Sequence, residues 1–243
     1  MTSTINPSAD QPAGKPGGNA GETQAAARSR VFIVDDHTMF REGLRQLIDH
    51  EAGLMVCGDA ADSMEALRGI RESDPDIVLV DISLSGASGI DLIKSIKSEF
   101  EDLPVLVVSM HDESLYAERA LRAGAMGYVM KHEPAKTMKA AIHKVLGGDM
   151  HLSEKMASTV IARLMHGQAD EPVSAIEKLS DRELEVFRAL GQGKAVRQIA
   201  EEMNVAIPTI NSFRNRIKEK LQLKTSTEVM LHAIQWVQGE RPK

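Results

Sequence analysis

The amino-acid sequence predicts a doubly wound α/β domain of five parallel strands with helices on both faces, followed by a small all-α domain. Two observations carry this. Between residues 30 and 150, short β-branched runs that are apolar throughout alternate with stretches of helical period. From residue 176 onward the apolar period is helical only. The chain has 243 residues, room for one to two domains at ~150 residues each. Its 42 % hydrophobic and 26 % charged residues are those of a soluble globular protein.

Residues 1–29 are Gly, Pro, Ala, Ser and Thr with almost no large apolar side chain, so a disordered tail is expected there. The runs VFIVD, LMVCGDA, DIVLVD, PVLVVSM and MGYVMK are the five strands. Phe40, Leu44, Leu47 and Ile48 share one face of the first helix; Met64, Leu67 and Ile70 share one face of the second; Ile90, Ile93 and Ile96 share one face of the third. A fourth helix covers Ser114 to Ala123, and a fifth brings Met138, Ile142 and Val145 together. Five such units in about 120 residues fit a flavodoxin-like domain over residues 30–150. Gly147-Gly148 ends it. Residues 151–175 read as a linker helix, Ser153 to Met165, and a hinge containing Pro172. In residues 176–243, Ser180 and Glu183 form a capping box and Leu179 and Leu184 a hydrophobic staple. A helix from Val196 to Met203, a turn, a helix opened by Pro208 and running to Leu221, and a last helix over Ser226 to Gln238 complete a helix-turn-helix candidate.

Charge is segregated along the chain. The whole carries a formal net charge of −6, but from Ser174 to Lys243 there are 12 Lys and Arg against 9 Asp and Glu, leaving net −9 for the rest. Such asymmetry suggests two jobs. No apolar run approaches the ~18 residues of a membrane span and the N-terminus has no signal pattern, so a cytoplasmic protein with no membrane partner is expected. The single cysteine, Cys57, forms neither an internal disulfide nor a zinc ligand set. Aromatics at 3 % argue against a stacking surface for single-stranded nucleic acid.

Ligands of doubly wound sheets bind at the carboxyl ends of the strands. That end gathers Asp35 and Asp36 after the first strand, Asp81 after the third, Ser109 after the fourth and Lys131 after the fifth. Three carboxylates in one crevice repel one another unless a hard divalent cation neutralises them, and oxygen-only ligation suits Mg²⁺. A lysine and a hydroxyl beside the metal complete a site for a phosphoryl group, with Asp81 as the nucleophile. Singly each residue has a plainer reading: the acids as helix caps, Lys131 as a solvated lysine, Ser109 as a turn former. Their joint occurrence on four strand ends favours the site.

The segments VFIVDDHTMFREGLRQLI, DIVLVDISLSGASGIDLIKSIK and VLVVSMHDESLYAERALRAGAMGYVMKHE resemble the receiver domain of bacterial response regulators of the NarL/LuxR-type (NarL/FixJ) family. The resemblance implies that Asp81 accepts a phosphoryl group from a sensor histidine kinase. It implies that Asp36 ligates Mg²⁺ with Asp35 assisting, alongside Asp81 and the Ser83 carbonyl. It further implies that Ser109 and Lys131 bind phosphoryl oxygens and that Tyr128 is a switch aromatic; filling the sheet edge is the other reading of Tyr128. Ser85 and His132 stand where the family often has proline. Met110 is bulkier than the usual residue and is expected to restrict water at the aspartyl phosphate.

In the second half, Arg214, Arg216, Lys218, Lys220 and Lys224 face one acid, Glu219, between Val205 and Lys224. This suits phosphate neutralisation, a solvated helix face being the plainer reading. Ile210, Phe213, Ile217 and Leu221 form the buried stripe of that helix. The opposite face presents Asn211, Ser212 and Asn215 for base edges, with Arg214, Arg216, Lys218 and Lys220 for the DNA backbone and Lys194 and Arg197 in support. The stretch from Leu179 to Val237 resembles the LuxR-type helix-turn-helix through Arg182-Glu183, Glu185-Val186, Gly193, Ile199-Ala200, Thr209, Ile217 and Lys220-Leu221, departing at Ala206, Asn211 and Phe213. That resemblance makes Val229, Met230, Ala233, Ile234 and Val237 a dimer contact of an active homodimer; packing onto the recognition helix is their other use. The resulting expectation is a response regulator on double-stranded DNA. It is not an enzyme beyond its own phosphoryl transfer and dephosphorylation. Two alternatives are a phospho-switched protein-interaction regulator with a degenerate DNA reader, and a Mg²⁺-dependent phosphohydrolase. The second lacks a carboxylate two residues after Asp81, where Ser83 lies.

Overall fold

In the computed structural model, the structure describes residues 28–84, 87–159 and 175–239. The expected tail over residues 1–29 lies almost wholly outside these. So do the hinge with Pro172, Ser85, and the part of the linker helix beyond residue 159.

Among the described residues, seven strands and ten α-helices follow in chain order: β1 Ser29–Val34, α1 Thr38–Asp49, β2 Leu54–Ala60, α2 Ser63–Ser73, β3 Ile77–Val80, β4 Ser83–Leu84, β5 Ala87–Ser88, α3 Gly89–Glu99, β6 Val105–Ser109, α4 Glu113–Arg122, β7 Gly127–Met130, α5 Ala135–Leu146, α6 (residues 154–159), a 3₁₀ turn Ala175–Lys178, α7 Asp181–Gly191, α8 Val196–Glu202, α9 Ile207–Lys220 and α10 Ser226–Gly239. Five strands pair in parallel in the order β2-β1-β3-β6-β7. The two-residue strands β4 and β5 form a separate antiparallel hairpin just beyond Asp81, which the apolar periodicity does not announce.

The central strands are apolar on both sides because both faces are covered. Val31, Ile33, Leu79 and Val108 pack with Leu44, Ile48, Ile142 and Val145 of α1 and α5. Their alternates Phe32, Val34, Val80 and Val107 pack with Ala66, Ile93 and Ala120 of α2, α3 and α4. The second of these clusters continues into the C-terminal helices through Met156, Ile176, Leu179 and Leu184. On α2 the expected stripe shifts. Met64 is exposed and Ala66 is buried in its place, because Ala66 lies four residues before the buried Ile70, on its face of the helix, whereas Met64 lies six before it and turns away.

After α5 the chain returns along the β7 edge. Tyr128 N–H donates to the His151 carbonyl at 2.9 Å and His151 N–H to the Met126 carbonyl at 3.0 Å, so part of that edge is paired. Ser153 N–H then donates to Glu113 at the start of α4. In the helical domain, the Ser180–Glu183 capping box starts α7, and Leu179 and Leu184 are both buried beside it. α9 starts at Ile207, one residue ahead of Pro208.

Gly89, the first residue of α3, has no room for a side chain: a Cβ there would lie 2.0 Å from the Asp81 carbonyl oxygen. Gly43, within α1, faces open space. Gly89→Ala is expected to destabilise the protein by about 1–3 kcal/mol through backbone displacement next to Asp81. Gly43→Ala is expected to stabilise it by about 0.5–1 kcal/mol. Urea denaturation of the two variants checks both signs.

Candidate functional site

The strand order decides which side chains meet. β1 and β3 are neighbours, so Asp35 and Asp81 emerge side by side; β6 brings Ser109 next to β3, and Lys131 follows β7 one strand further out. The lysine stem spans that gap. Its Nζ lies 2.6 Å from Asp35 and 2.7 Å from Asp81, and 4.5 Å from the centre of the Phe40 ring. Asp35 and Asp81 are both 2 % exposed, and the Lys131 side chain is almost as deeply buried. Asp35, Asp36, His37 and Asp81 each bring one ligand atom within 4.8 Å of the others. His37 was not anticipated from sequence. Its ring nitrogen is 2.8 Å from Asp36, and its N–H donates to Asp35. The carboxylate oxygens form the donor set that a hard divalent cation requires.

Burial pushes the Asp81 carboxyl up, to about 6, against the opposing pull of Lys131; the neighbouring Asp35 charge raises it further. Asp81 also accepts a hydrogen bond from Ser83 N–H at 3.2 Å. Ser109 is fully buried at the end of β6, and its hydroxyl accepts from His111 N–H at 3.2 Å. Tyr128 is 2 % exposed. Its hydroxyl donates to the His111 carbonyl at 2.9 Å and is hydrogen-bonded to Ser109. Met110, expected to shield the site, instead projects into solvent at 66 % exposure. The cover comes from His111, whose ring nitrogen is 2.5 Å from the Ser83 hydroxyl and whose ring stacks on Tyr116 with centroids 4.6 Å apart. Burial, with the Arg188 and Lys131 charges nearby, holds His111 at about 4 and hence neutral near pH 7.

In the C-terminal domain, Ile210, Ile217 and Leu221 of α9 are buried and Phe213 is half-buried, as the stripe requires. Asn211, Ser212, Asn215 and Arg216 are exposed together on the opposite side. Arg214 donates to Asn211 at 3.2 Å. Three of the expected backbone cations are already engaged: Lys220 with Glu183 at 2.6 Å, Lys194 with Glu202 at 2.6 Å and Arg197 with Glu201 at 3.0 Å. On α10, Val229 and Ala233 are fully buried against the domain's own core. Their place in the dimer contact is corrected to core packing, and the exposed apolar residues are Met230 and Leu231.

Comparison with known proteins places these two halves. Residues 31–143 match the model of the response regulator receiver domain, and residues 177–233 that of the luxR family of bacterial regulatory proteins. A two-component response regulator of the LuxR family from Aurantimonas sp. SI85-9A1 is 36 % identical, with a TM-score of 0.53, over 57 % of this chain and 99 % of that one. The chain belongs to the LuxR-type family of two-component response regulators. The oxygen regulatory protein NreC of Staphylococcus carnosus is 29 % identical over 209 residues, 84 % of this chain and 96 % of that protein. The RcsB response regulator of Salmonella typhimurium, in a structure described by its conformational dynamism for DNA interaction, is 25 % identical. It covers 85 % of this chain and 98 % of its own with a TM-score of 0.52. This response regulator thus has the receiver and the DNA-binding helix-turn-helix that its sequence predicts. No helix among the described residues is long and apolar enough to cross a membrane.

Two further residues at the receiver site belong to α7. Arg182 donates to the Leu84 carbonyl and to Glu185, and Glu185 accepts from the Ser83 hydroxyl at 3.4 Å. Sequence pattern marks both as domain residues but carries no sign of where the domain docks.

A raised Asp81 carboxyl has a consequence for stability. Its unfolded value lies near 3.8 and its folded value near 6, so the folded state binds the proton more tightly and stability falls as pH rises through that window. Asp81→Asn is therefore expected to raise the melting temperature above pH 6, by the equivalent of up to about 3 kcal/mol. The gain should fade toward pH 4, in thermal melts run with EDTA.

Proposed function

We propose that Asp81 accepts a phosphoryl group from a sensor histidine kinase and that its phosphorylation state controls DNA binding by α9. The observation that carries this reading is the convergence of Asp35, Asp36 and Lys131 on a buried, nucleophilic Asp81. Asp81 attacks phosphorus and the donor leaves, forming an aspartyl phosphate. Lys131 Nζ, already on Asp81, holds one phosphoryl oxygen and Ser109 a second. Asp35, Asp36, Asp81 and the Ser83 carbonyl would hold Mg²⁺, which neutralises phosphoryl charge when bound. Tyr128, turned inward on Ser109, reports the site to α4. The receiver performs only its own phosphoryl transfer and dephosphorylation, with no turnover of an external substrate.

On the DNA side, Asn211, Ser212 and Asn215 face base edges, while Arg214, Arg216 and Lys218 meet phosphates. Lys220, Lys194 and Arg197 reach phosphates only by leaving Glu183, Glu202 and Glu201. Met230 and Leu231, with Ile234 and Val237, offer the apolar surface on α10 through which the active protein pairs as a homodimer on two half-sites. A DNA partner places the protein in the cytoplasm. The helix-turn-helix spans residues 176–243 and the receiver residues 30–150, joined by residues 151–175.

Incubation with acetyl phosphate and Mg²⁺ is expected to label the wild type and not Asp81→Asn, as read on a phosphate-affinity gel. Label on the variant would overturn Asp81 as the acceptor. Arg216→Ala is expected to reduce the slope of log K against log salt for promoter DNA by about 1.

A further inference from the structure

The DNA-binding domain reaches into the receiver's phosphorylation pocket. Ser83, two residues past Asp81, carries a hydroxyl on which two side chains from different elements converge. His111 Nε2 lies 2.5 Å away and Glu185 Oε1 3.4 Å away. With His111 neutral, its Nε2–H donates to the Ser83 oxygen and the Ser83 hydroxyl donates onward to the carboxylate. The Ser83 N–H meanwhile donates to Asp81 itself, so one residue joins the phosphoacceptor to α7. Arg182 clamps the same loop from the other side, bonding the Leu84 carbonyl and, at 2.8 Å, Glu185. A second clamp lies on α4. Arg119 donates to the Leu179 carbonyl at 2.7 Å and to Asp181 at 3.0 Å. Between α3, α4, α7 and α10 a cleft of about 590 Å³, lined by Ile90, Leu115 and Trp236, leaves the apolar contact incomplete.

This docking does not hide the reading face: Asn211, Ser212, Asn215 and Arg216 remain exposed. What it fixes is the position of α7 on the receiver. We infer that Glu185 is a charge sensor supplied by the DNA-binding domain: docked, it occupies the mouth of the phosphorylation pocket, and a phosphoryl group on Asp81 expels it and frees the domain. The inference rests on the proposed phosphorylation of Asp81 and names the group that couples it to the output. A phosphoryl group brings about −1.5 to −2 charge and three acceptor oxygens. The Glu185 carboxylate accepts from Arg182 and from the Ser83 hydroxyl; burial, and the Asp36 charge beside it, push that carboxyl up against their pull, so a further negative charge at Asp81 is unfavourable to it where it sits. Lys131 and Ser109 turn to the phosphoryl group, while Glu185 is repelled. Arg182 is the hinge of the arrangement, because it holds both the loop and Glu185.

The test measures docking directly in the full chain. Spin labels at cysteines replacing exposed Glu65 and Gln235, with Cys57→Ser, report the distance between receiver and DNA-binding domain. Acetyl phosphate with Mg²⁺ is the phosphodonor, and opening is counted per phosphorylated molecule on a phosphate-affinity gel. Unphosphorylated wild type is expected to be docked and the phosphorylated form open. Glu185→Gln keeps the shape and the bond to Ser83 but removes the charge. Its ratio of open to docked molecules on phosphorylation should be roughly tenfold below wild type. Arg182→Ala should be open before any phosphorylation. Equal opening of Glu185→Gln and wild type, a docked Arg182→Ala, or a wild type with the same distances in both states overturns the inference alone. A wild type that takes up no phosphoryl group at Asp81 overturns the reading beneath it as well.

Discussion

The contact between Lys131 and the paired carboxylates of Asp35 and Asp81 is the constraint on which the rest of the receiver depends. Two buried acids a few ångströms apart are not stable together without a cation, and the fold brings them together because β1 and β3 are neighbours in the sheet. Lysine answers from two strands beyond β3, and only its long apolar stem makes that reach possible while burying little polar surface. The burial that lets the site exclude water also raises the Asp81 carboxyl, so the fold bears a penalty at the residue it needs most. Relief comes from any added positive charge, which is why the same geometry suits a divalent cation.

Much of this was legible in the sequence because strands buried on both faces leave apolar runs, and the ends of such strands are where polar residues must have a reason. Asp35, Asp36, Asp81, Ser109 and Lys131 each stand at the end of such a run in the sequence. Reading an apolar residue as part of a stripe failed where its helical phase does not fit. Met64 sits six residues before Ile70 and so turns off the buried face of α2, which Ala66 occupies. Periodicity failed where two-residue strands carry too few positions to show a period, as in the β4–β5 hairpin. His111 carries a signal in the sequence itself. A histidine two residues past Ser109, in a loop tied to a strand end, is poorly explained as solvated.

Charge counts along the chain were right in sign and misleading in extent. The C-terminal domain is basic, yet Lys220, Lys194 and Arg197 are each held by an acid of that domain, and Glu183 serves the α7 cap and Lys220 together. The exposed pairs of Lys194 and Arg197 are worth little to stability and do not prevent those cations from turning to phosphates. Glu183 is buried, so releasing Lys220 leaves a buried carboxylate without that cation. The effect of these pairs is on the unbound protein, whose reading face carries less net positive charge than the sequence implies. Arg216 is exposed beside Asn215 and Asn211, so it dominates that face. The departures at Asn211 and Phe213 act differently. Phe213 is half-buried and belongs to packing, whereas Asn211 is exposed and alters what the helix can read.

Docking between the two domains has the character of a contact meant to be lost. It joins an apolar contact through Met156, Ile176, Leu179 and Leu184 to a few charge-assisted hydrogen bonds from Arg119 and Arg182, beside a cleft that apolar side chains do not fill. The Tyr116 hydroxyl is buried beside it with no hydrogen-bond partner among the described residues. A large, fully satisfied interface would demand more free energy to open than one phosphoryl group can supply. A weak one would not stay closed. An interface balanced near zero is the arrangement in which a change of about two charges, placed a few bonds from Glu185, decides the outcome. The incomplete packing then serves the switch, because it lowers the docked state's advantage to the scale of the signal.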